Sequence, residues 1–215
     1  LQLVLFLLLM ALYSLSLLRF PKGILPASYM RYVAAANIAA MSFILGSFSS
    51  RFVYPLLGME GPSVWILAVA PQKKETILKA KLILGYMIMM PAGAALSLTS
   101  HSALGLSEGT ALLGTCFVLC LATALAGTSI AFSAGFAEFA SDRPGEVLGT
   151  MGGTANFLVS SALVLLAVGL WSAGIVLGRS RIPGVAATFA SFFIPVLVSI
   201  ITYRLAIKSF KRREF

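Results

Sequence analysis

The chain has 215 residues, 59% of them hydrophobic and 11% charged, with a mean hydropathy of +0.97. So little charge cannot cover the surface of a soluble domain. Apolar runs of about 18 residues or more recur along the chain, the length at which a helix crosses a bilayer's hydrocarbon core. The net charge is +9, but the basic residues border the apolar runs. There they read as topology determinants and headgroup contacts rather than as a nucleic-acid surface. The runs lack the period-2 alternation of a transmembrane barrel. The expected fold class is therefore an all-α integral membrane protein with about six transmembrane helices and a cytoplasmic helix-break-helix elbow.

In chain order the helices fall at about residues 1–18, 32–50, 82–104, 110–133, 150–177 and 184–205. The first begins at Leu1 without a basic start or a following small-residue cleavage site, so it reads as a membrane helix rather than a signal peptide. The expectation is that the chain is the C-terminal piece of a longer protein. Small residues recur at spacing four: Gly127, Ala131 and Gly135; Gly149 and Gly153; Gly174 and Gly178. Such ridges let helix backbones approach closely in lipid. Pro91 and Pro195 fall inside two helices. Cys116 and Cys120 share a helix face in an apolar run and lack the further ligands that a metal or redox site needs.

The connection at 51–81 carries Arg51, Lys73, Lys74, Lys79 and Lys81, and the last helix end and tail carry Arg204, Lys208, Lys211, Arg212 and Arg213. By the excess of Lys and Arg on the inner side, both segments and the C-terminus are expected in the cytoplasm. The 105–109 turn, without Lys or Arg, is expected outside. The basic residues of 19–31, with Arg179 and Arg181, fall outside by parity.

Residues 51–81 interrupt the apolar pattern. Gly61-Pro62 reads as a helix start, since proline suits the first helical turn, and Glu60 before it suits a positive helix end. A short apolar helix carrying Trp65 is expected over 62–70, ended by Pro71. A second helix then runs from Gln72 through the lysines into the membrane. Trp65 would sit at interfacial depth, and Lys73, Lys74 and Lys81 would face headgroups or an acidic partner.

The order Arg51, Phe52, Tyr54, Pro55, Glu60, Gly61, Trp65, Leu67, Pro71, Leu78, Lys81 resembles the first cytoplasmic loop of type 2 ABC exporter permeases, in particular a bacterial group of ABC exporters. A second segment resembles the same group's later cytoplasmic loop through Phe136, Phe139, Asp142, Pro144, Val147, Gly152 and Gly153. Ala140 and Glu138 depart from that group's pattern. The two matches lie in family order and together cover roughly half of the chain.

The resemblance implies a single transmembrane permease domain over 1–215, with a coupling loop at 51–81 and a second cytoplasmic loop at 134–149. It implies a membrane-spanning subunit of an ATP-driven exporter of unknown substrate, in the bacterial cytoplasmic membrane, driven by a separate ABC ATP-binding subunit. A second permease half or a homodimer partner would complete the assembly in the lipid bilayer, and nucleic acid would play no part. Glu60, Gly61, Pro62, Trp65, Pro71 and Lys81 are then the expected coupling residues. Lys73 and Lys74 are expected to contact headgroups or the partner, and Phe136, Phe139, Asp142 and Pro144 to form the second loop's contact.

The sequence contains no G-x-x-x-x-G-K-[ST] loop to cradle phosphates. No enzymatic role and no cofactor are therefore expected in the chain itself, with ATP and magnesium on the partner subunit. A secondary transporter and a non-transporting scaffold are the alternatives. For the first, Asn37, Asn156 and the many Ser and Thr residues would be the polar path. An intramembrane enzyme would need ionisable groups within the helices. His101, the single histidine, sits instead at a helix end between Ser100 and Ser102.

Overall fold

In a computed structural model of the chain, the described residues are 2–19, 26–63, 72–136, 151–177 and 182–211. Among them are six α-helices and no strand: α1 (Gln2–Leu18), α2 (Ala27–Phe48), α3 (Lys74–Leu104), α4 (Glu108–Phe136), α5 (Met151–Leu177) and α6 (Ile182–Lys211). The fold is an all-α membrane protein, as the composition requires. Five spans are long and apolar enough to cross a membrane: Tyr29–Gly61, Lys74–Leu104, Glu108–Phe136, Met151–Ile175 and Ile182–Phe210. In α1 the apolar stretch is shorter, Leu8–Leu17.

The centre of the bundle is α4, which touches α2, α3, α5 and α6. Its Phe117, Val118, Leu121, Leu125 and Ile130 are buried almost completely. Outward faces carry Leu8, Leu12, Met87, Leu112, Leu165, Phe189 and Phe193, all exposed. Such an apolar exterior is what a protein in lipid presents, because lipid tails give no reason to hide it.

Close helix contacts fall where glycine removes the Cβ. A Cβ on Gly127 of α4 would lie 2.9 Å from Thr202 Oγ1 of α6, and one on Gly174 of α5 would lie 2.4 Å from Thr188 Oγ1 of α6. The small-residue ridges at these positions are thus seams between helices. Gly149 and Gly178 lie outside the described residues.

Two helices are longer than hydropathy alone indicates. Helix α3 begins at Lys74, eight residues before the apolar run at 82 and close to the Gln72 start expected for the helix that carries the lysines into the membrane. A hydropathy pattern stops where the lysines begin, but Lys, Glu and Thr continue the helical turn. Leu78 and Leu82, four apart and both buried, carry its apolar face down to the base. Helix α2 begins at Ala27, and the chain stays helical beyond Phe48. A π-helical segment covers Ser49–Val53, and 3-10 turns follow at Tyr54–Leu56 and Gly58–Ser63. Thus residues 51–63 do not lie along the surface as a loose connection. Val53, Tyr54 and Leu57 are at most 1% exposed and belong to the core.

Candidate functional site at the basic end of the bundle

One end of the bundle gathers the π-helical extension of α2, the base of α3, the end of α4, the start of α5 and the end of α6. Its described basic residues are Arg51, Lys73, Lys74, Lys79, Lys81, Arg204, Lys208 and Lys211. The opposite end holds Arg19 and Arg31 among the described residues.

The feature that ties this end together is an ion pair. Lys81 Nζ of α3 donates to Glu60 Oε1 of the last 3-10 turn, with both side chains partly exposed. Glu60 N–H in turn donates to the Leu57 carbonyl at 3.2 Å. Gly61 follows with φ 50° and ψ −140°, a backbone conformation that side chains with a Cβ avoid. Gly61 is the non-helical residue at a kink between two helical pieces, and the second begins at Pro62, where the Gly-Pro pair leads one to expect a start. That second piece continues to Ser63.

On the far side of the elbow, Lys73 is extended and precedes α3, and its carbonyl accepts from Thr76 N–H at 2.8 Å. Lys74 opens the helix. Of the expected coupling residues, Glu60 pairs with Lys81 and is followed in the chain by Gly61 and Pro62, while Lys74 lies about two turns before Lys81 in α3. Trp65 and Pro71 lie outside the described residues, and so do Phe139, Asp142 and Pro144 of the second loop.

The two resembling segments meet. A Cβ on Gly152 of α5 would lie 2.3 Å from Phe136 Cβ and 2.6 Å from Tyr54 Oη. Glycine at 152 is what permits Phe136, Tyr54 and the start of α5 to occupy one place. Val53 approaches Gly85 of α3 similarly, at 3.1 Å from where a Cβ would be. Phe136 itself is 45% exposed at the end of α4. The elbow is thereby wedged among α3, α4 and α5 rather than attached to one of them.

Above this wedge lies a buried polar layer. Ser49 Oγ is 2.9 Å from Ser129 Oγ, and Asn156 Nδ2 donates to Ser50 Oγ and Ser129 Oγ, each at 3.2 Å. Asn156 and Ser129 are fully buried. Asn156 Oδ1 and the buried hydroxyl of Ser160, one turn on, have no hydrogen-bond partner among the described residues. The π-helical turn gives Ser49 and Ser50 their common aim; such wide turns recur at functional places in helices. Sequence reading named Asn156, with Asn37 and the many Ser and Thr residues, as a candidate polar path and did not single out Ser49, Ser50 or Ser129. The Ser-Ser pair directly before Arg51 is the signal that was there to use.

A matching layer lies toward the opposite end. Asn37 Oδ1 accepts from Tyr13 OH at 2.5 Å and from Ser100 Oγ at 2.6 Å. Ser97 Oγ lies 3.2 Å from His101 Nδ1 and 2.7 Å from Thr115 Oγ1. His101 is 3% exposed and lies in the last turn of α3, a buried polar residue between α3 and α4.

Among known proteins, the family model described as "Putative ATP-binding cassette" matches residues 1–215, the whole chain. The chain belongs to this family. No curated protein and no solved structure matches it significantly. The family finding places the chain in an ABC-transporter context and corrects four expectations. The family that matches is described as an ATP-binding cassette, not as an exporter permease. The function expected from the permease resemblance, a membrane-spanning exporter subunit driven by a separate ATPase, falls with it. So do the expectations that the chain has no nucleotide-related role of its own and that ATP and magnesium belong to a partner alone. The alternatives, an ion-coupled transporter or a scaffold, gain nothing from the finding.

The described residues do not fit a nucleotide. The two glycines of positive φ, Gly61 and Gly105, stand at opposite ends of the bundle and form no phosphate loop. No group of three His, Cys, Asp or Glu among the described residues is placed to hold a metal ion.

Proposed function

We propose that the Glu60–Lys81 elbow is the coupling contact of this chain of an ABC transporter, the place where an ATP-binding cassette, in this polypeptide or in a partner, meets the helix bundle. The observation that carries this reading is the ion pair together with what lies behind it. Glu60 and Lys81 lock the end of the α2 extension to the base of α3, and Tyr54, Leu57 and Leu78 behind them are fully buried or nearly so. A displacement applied at such a wedge is passed to α3, α4 and α5 together, because a packed interior does not absorb it locally. A nucleotide-dependent partner can shift the bundle between conformations only if it binds them unequally. An elbow rigid with three helices offers such a difference.

In this reading Gly61 and Pro62 set the entry into the segment carrying Trp65, and Pro71 sets its exit. Lys73 and Lys74 meet headgroups or acidic partner residues. Phe136, with Phe139, Asp142 and Pro144, forms the neighbouring contact. The basic end faces the cytoplasm, by the excess of Lys and Arg there, and the C-terminus lies on that side of the bacterial cytoplasmic membrane. A second membrane half, from another copy or from a longer polypeptide, completes the assembly.

The test is co-purification. The complete native protein, tagged and expressed with its neighbouring reading frames, is extracted in mild detergent and examined for a Walker-A ATPase. A stoichiometric ATPase is expected, lost when Trp65 and Pro71 are both changed and weakened in Glu60→Lys. Restoration in the Glu60→Lys, Lys81→Glu double variant is expected if the pair acts as a unit. An ATPase that stays bound in all these variants would remove the elbow from the contact.

A further inference from the structure

At the end opposite the elbow, a cavity of about 450 Å³ opens between the start of α2, the α3–α4 turn and the end of α5. Its walls include Met30 and Arg31 of α2, Ser107 and Thr110 at the start of α4, and Trp171 and Ile175 of α5. Gly105 in the turn has φ 62° and nothing within 4 Å of where a Cβ would be, so the space there is open.

The polar side chains of this wall are the Arg31 guanidinium, the Ser107 and Thr110 hydroxyls and the Trp171 indole. Arg31 is exposed, and no carboxylate among the described residues pairs with it. Trp171 is 3% exposed and stacks on Phe117 at 4.8 Å between ring centroids, yet its Nε1–H has no acceptor among the described residues. The Ser107 and Thr110 hydroxyls lie 2.5 Å apart, and α4 starts here, with the Thr110 and Ala111 N–H groups donating to the Ser107 carbonyl. A helix start carries partial positive charge. The exposed Glu108 in that turn is not part of the cavity wall.

We propose that this cavity binds an amphiphile with an anionic head, a carboxylate or a phosphate ester. The head pairs with the Arg31 guanidinium, whose fork matches either anion, and the apolar body lies against Met30, Ile175 and Trp171. An apolar wall with a single cation and no lining carboxylate disfavours cations and gives a neutral head nothing to replace its water with. A membrane lipid and a free amphiphile share this chemistry. The inference does not depend on the elbow reading, which concerns the other end of the molecule.

The experiment uses one of the chain's two tryptophans. In a Trp65→Phe background of the full chain, in neutral detergent, Trp171 is the sole tryptophan and sits in the wall. Decyl phosphate is titrated while its emission is followed, with decyl maltoside as the neutral counterpart. A saturable change is expected with decyl phosphate and not with decyl maltoside. Arg31→Gln should weaken it tenfold or more, while Lys208→Gln at the other end should leave it unchanged. In the unaltered chain decyl phosphate should raise the Tm, and in Arg31→Gln it should not. Repeating the titration in nanodiscs with and without phosphatidylglycerol separates the sources. Weaker apparent binding in the anionic discs assigns the site to lipid, and equal binding assigns it to a free amphiphile. No saturable change, an equal response to decyl maltoside, or undiminished binding and stabilisation in Arg31→Gln would overturn the proposal.

Discussion

The two ends of the bundle solve the same problem differently. At the basic end an ion pair, Glu60 with Lys81, fastens a 3-10 turn to a helix, and glycines at 85 and 152 let Val53, Tyr54 and Phe136 press in from three sides. At the opposite end Arg31 stands beside an open cavity and the turn at Gly105 is unobstructed. Between them lie two polar layers, Ser49–Ser129–Asn156–Ser50 and Tyr13–Asn37–Ser100. The first joins the elbow's root to α4 and α5; the second joins α1 to α2 and α3. The contrast is local: the elbow is pressed in at Gly85 and Gly152, whereas the turn at Gly105 is unobstructed.

The sharpest way to break this comparison is to fill the wedge. Gly152→Val places carbon where Phe136 and Tyr54 already are, and overpacking of this kind costs about 1–3 kcal/mol, occasionally more. We expect Gly152→Val to lower the Tm in detergent more than any single change to the polar layers or to the ion pair. The same exchange at Gly169, where a Cβ would meet nothing within 4 Å, should leave it nearly unchanged. Equal stability of the two variants would mean that the wedge is not tightly packed.

Next in size is the polar layer beside it. Asn156→Ala removes two hydrogen bonds, and interhelical hydrogen bonds within membranes contribute roughly 0.6 kcal/mol on average and about 1.7 at most. A loss of about 1–2 kcal/mol is expected in reversible unfolding from detergent–denaturant mixtures. Asn37→Ala in the outer layer should cost a similar amount. If Asn156→Ala were instead neutral, the unpartnered Oδ1 would be offsetting the two bonds.

The smallest stability effect is expected from the residues nearest to function. Glu60→Ala breaks a partly exposed pair, and such pairs contribute about 0–1 kcal/mol. Its Tm should therefore stay close to that of the parent, while stimulation of the co-purified ATPase by transport conditions should fall. Trp65→Ala should give the same separation. A large drop in Tm with unchanged coupling would reassign Glu60 to architecture. Salt adds a further check, because screening at high ionic strength should narrow the difference between Glu60→Ala and the parent.

Much of this was legible in the residues. Apolar runs, their lengths and the clustering of lysines at one side gave the helical membrane fold and the basic end, because lipid imposes those requirements on composition directly. The small-residue ridges at Gly127 and Gly174 were visible for the same reason. The pairing of Glu60 with Lys81 was not derivable: both were named for their places in a pattern, and nothing in their spacing brings them together. Equally hidden was the continuation of α2 through Ser49–Val53, since a π-helical turn has no hydropathy signature. His101 was read at a helix end, and its burial was hidden, because the packing of its ring on Gly114, where a Cβ would lie 2.7 Å from it, is a matter of helix pairing.

What the sequence determined by itself is therefore the solvent of the protein and the number and polarity of its helices. Those follow from the cost of leaving polar backbone or charge in hydrocarbon. Only the tertiary structure decided which side chains meet: the Glu60–Lys81 clasp, the Gly152 wedge, the two polar layers and the cavity beside Arg31 and Trp171. Each joins residues far apart along the chain, and their meeting depends on how helix faces pair. In lipid that pairing is set by close fit and hydrogen bonding rather than by hydrophobicity, so it leaves little trace in a hydropathy pattern.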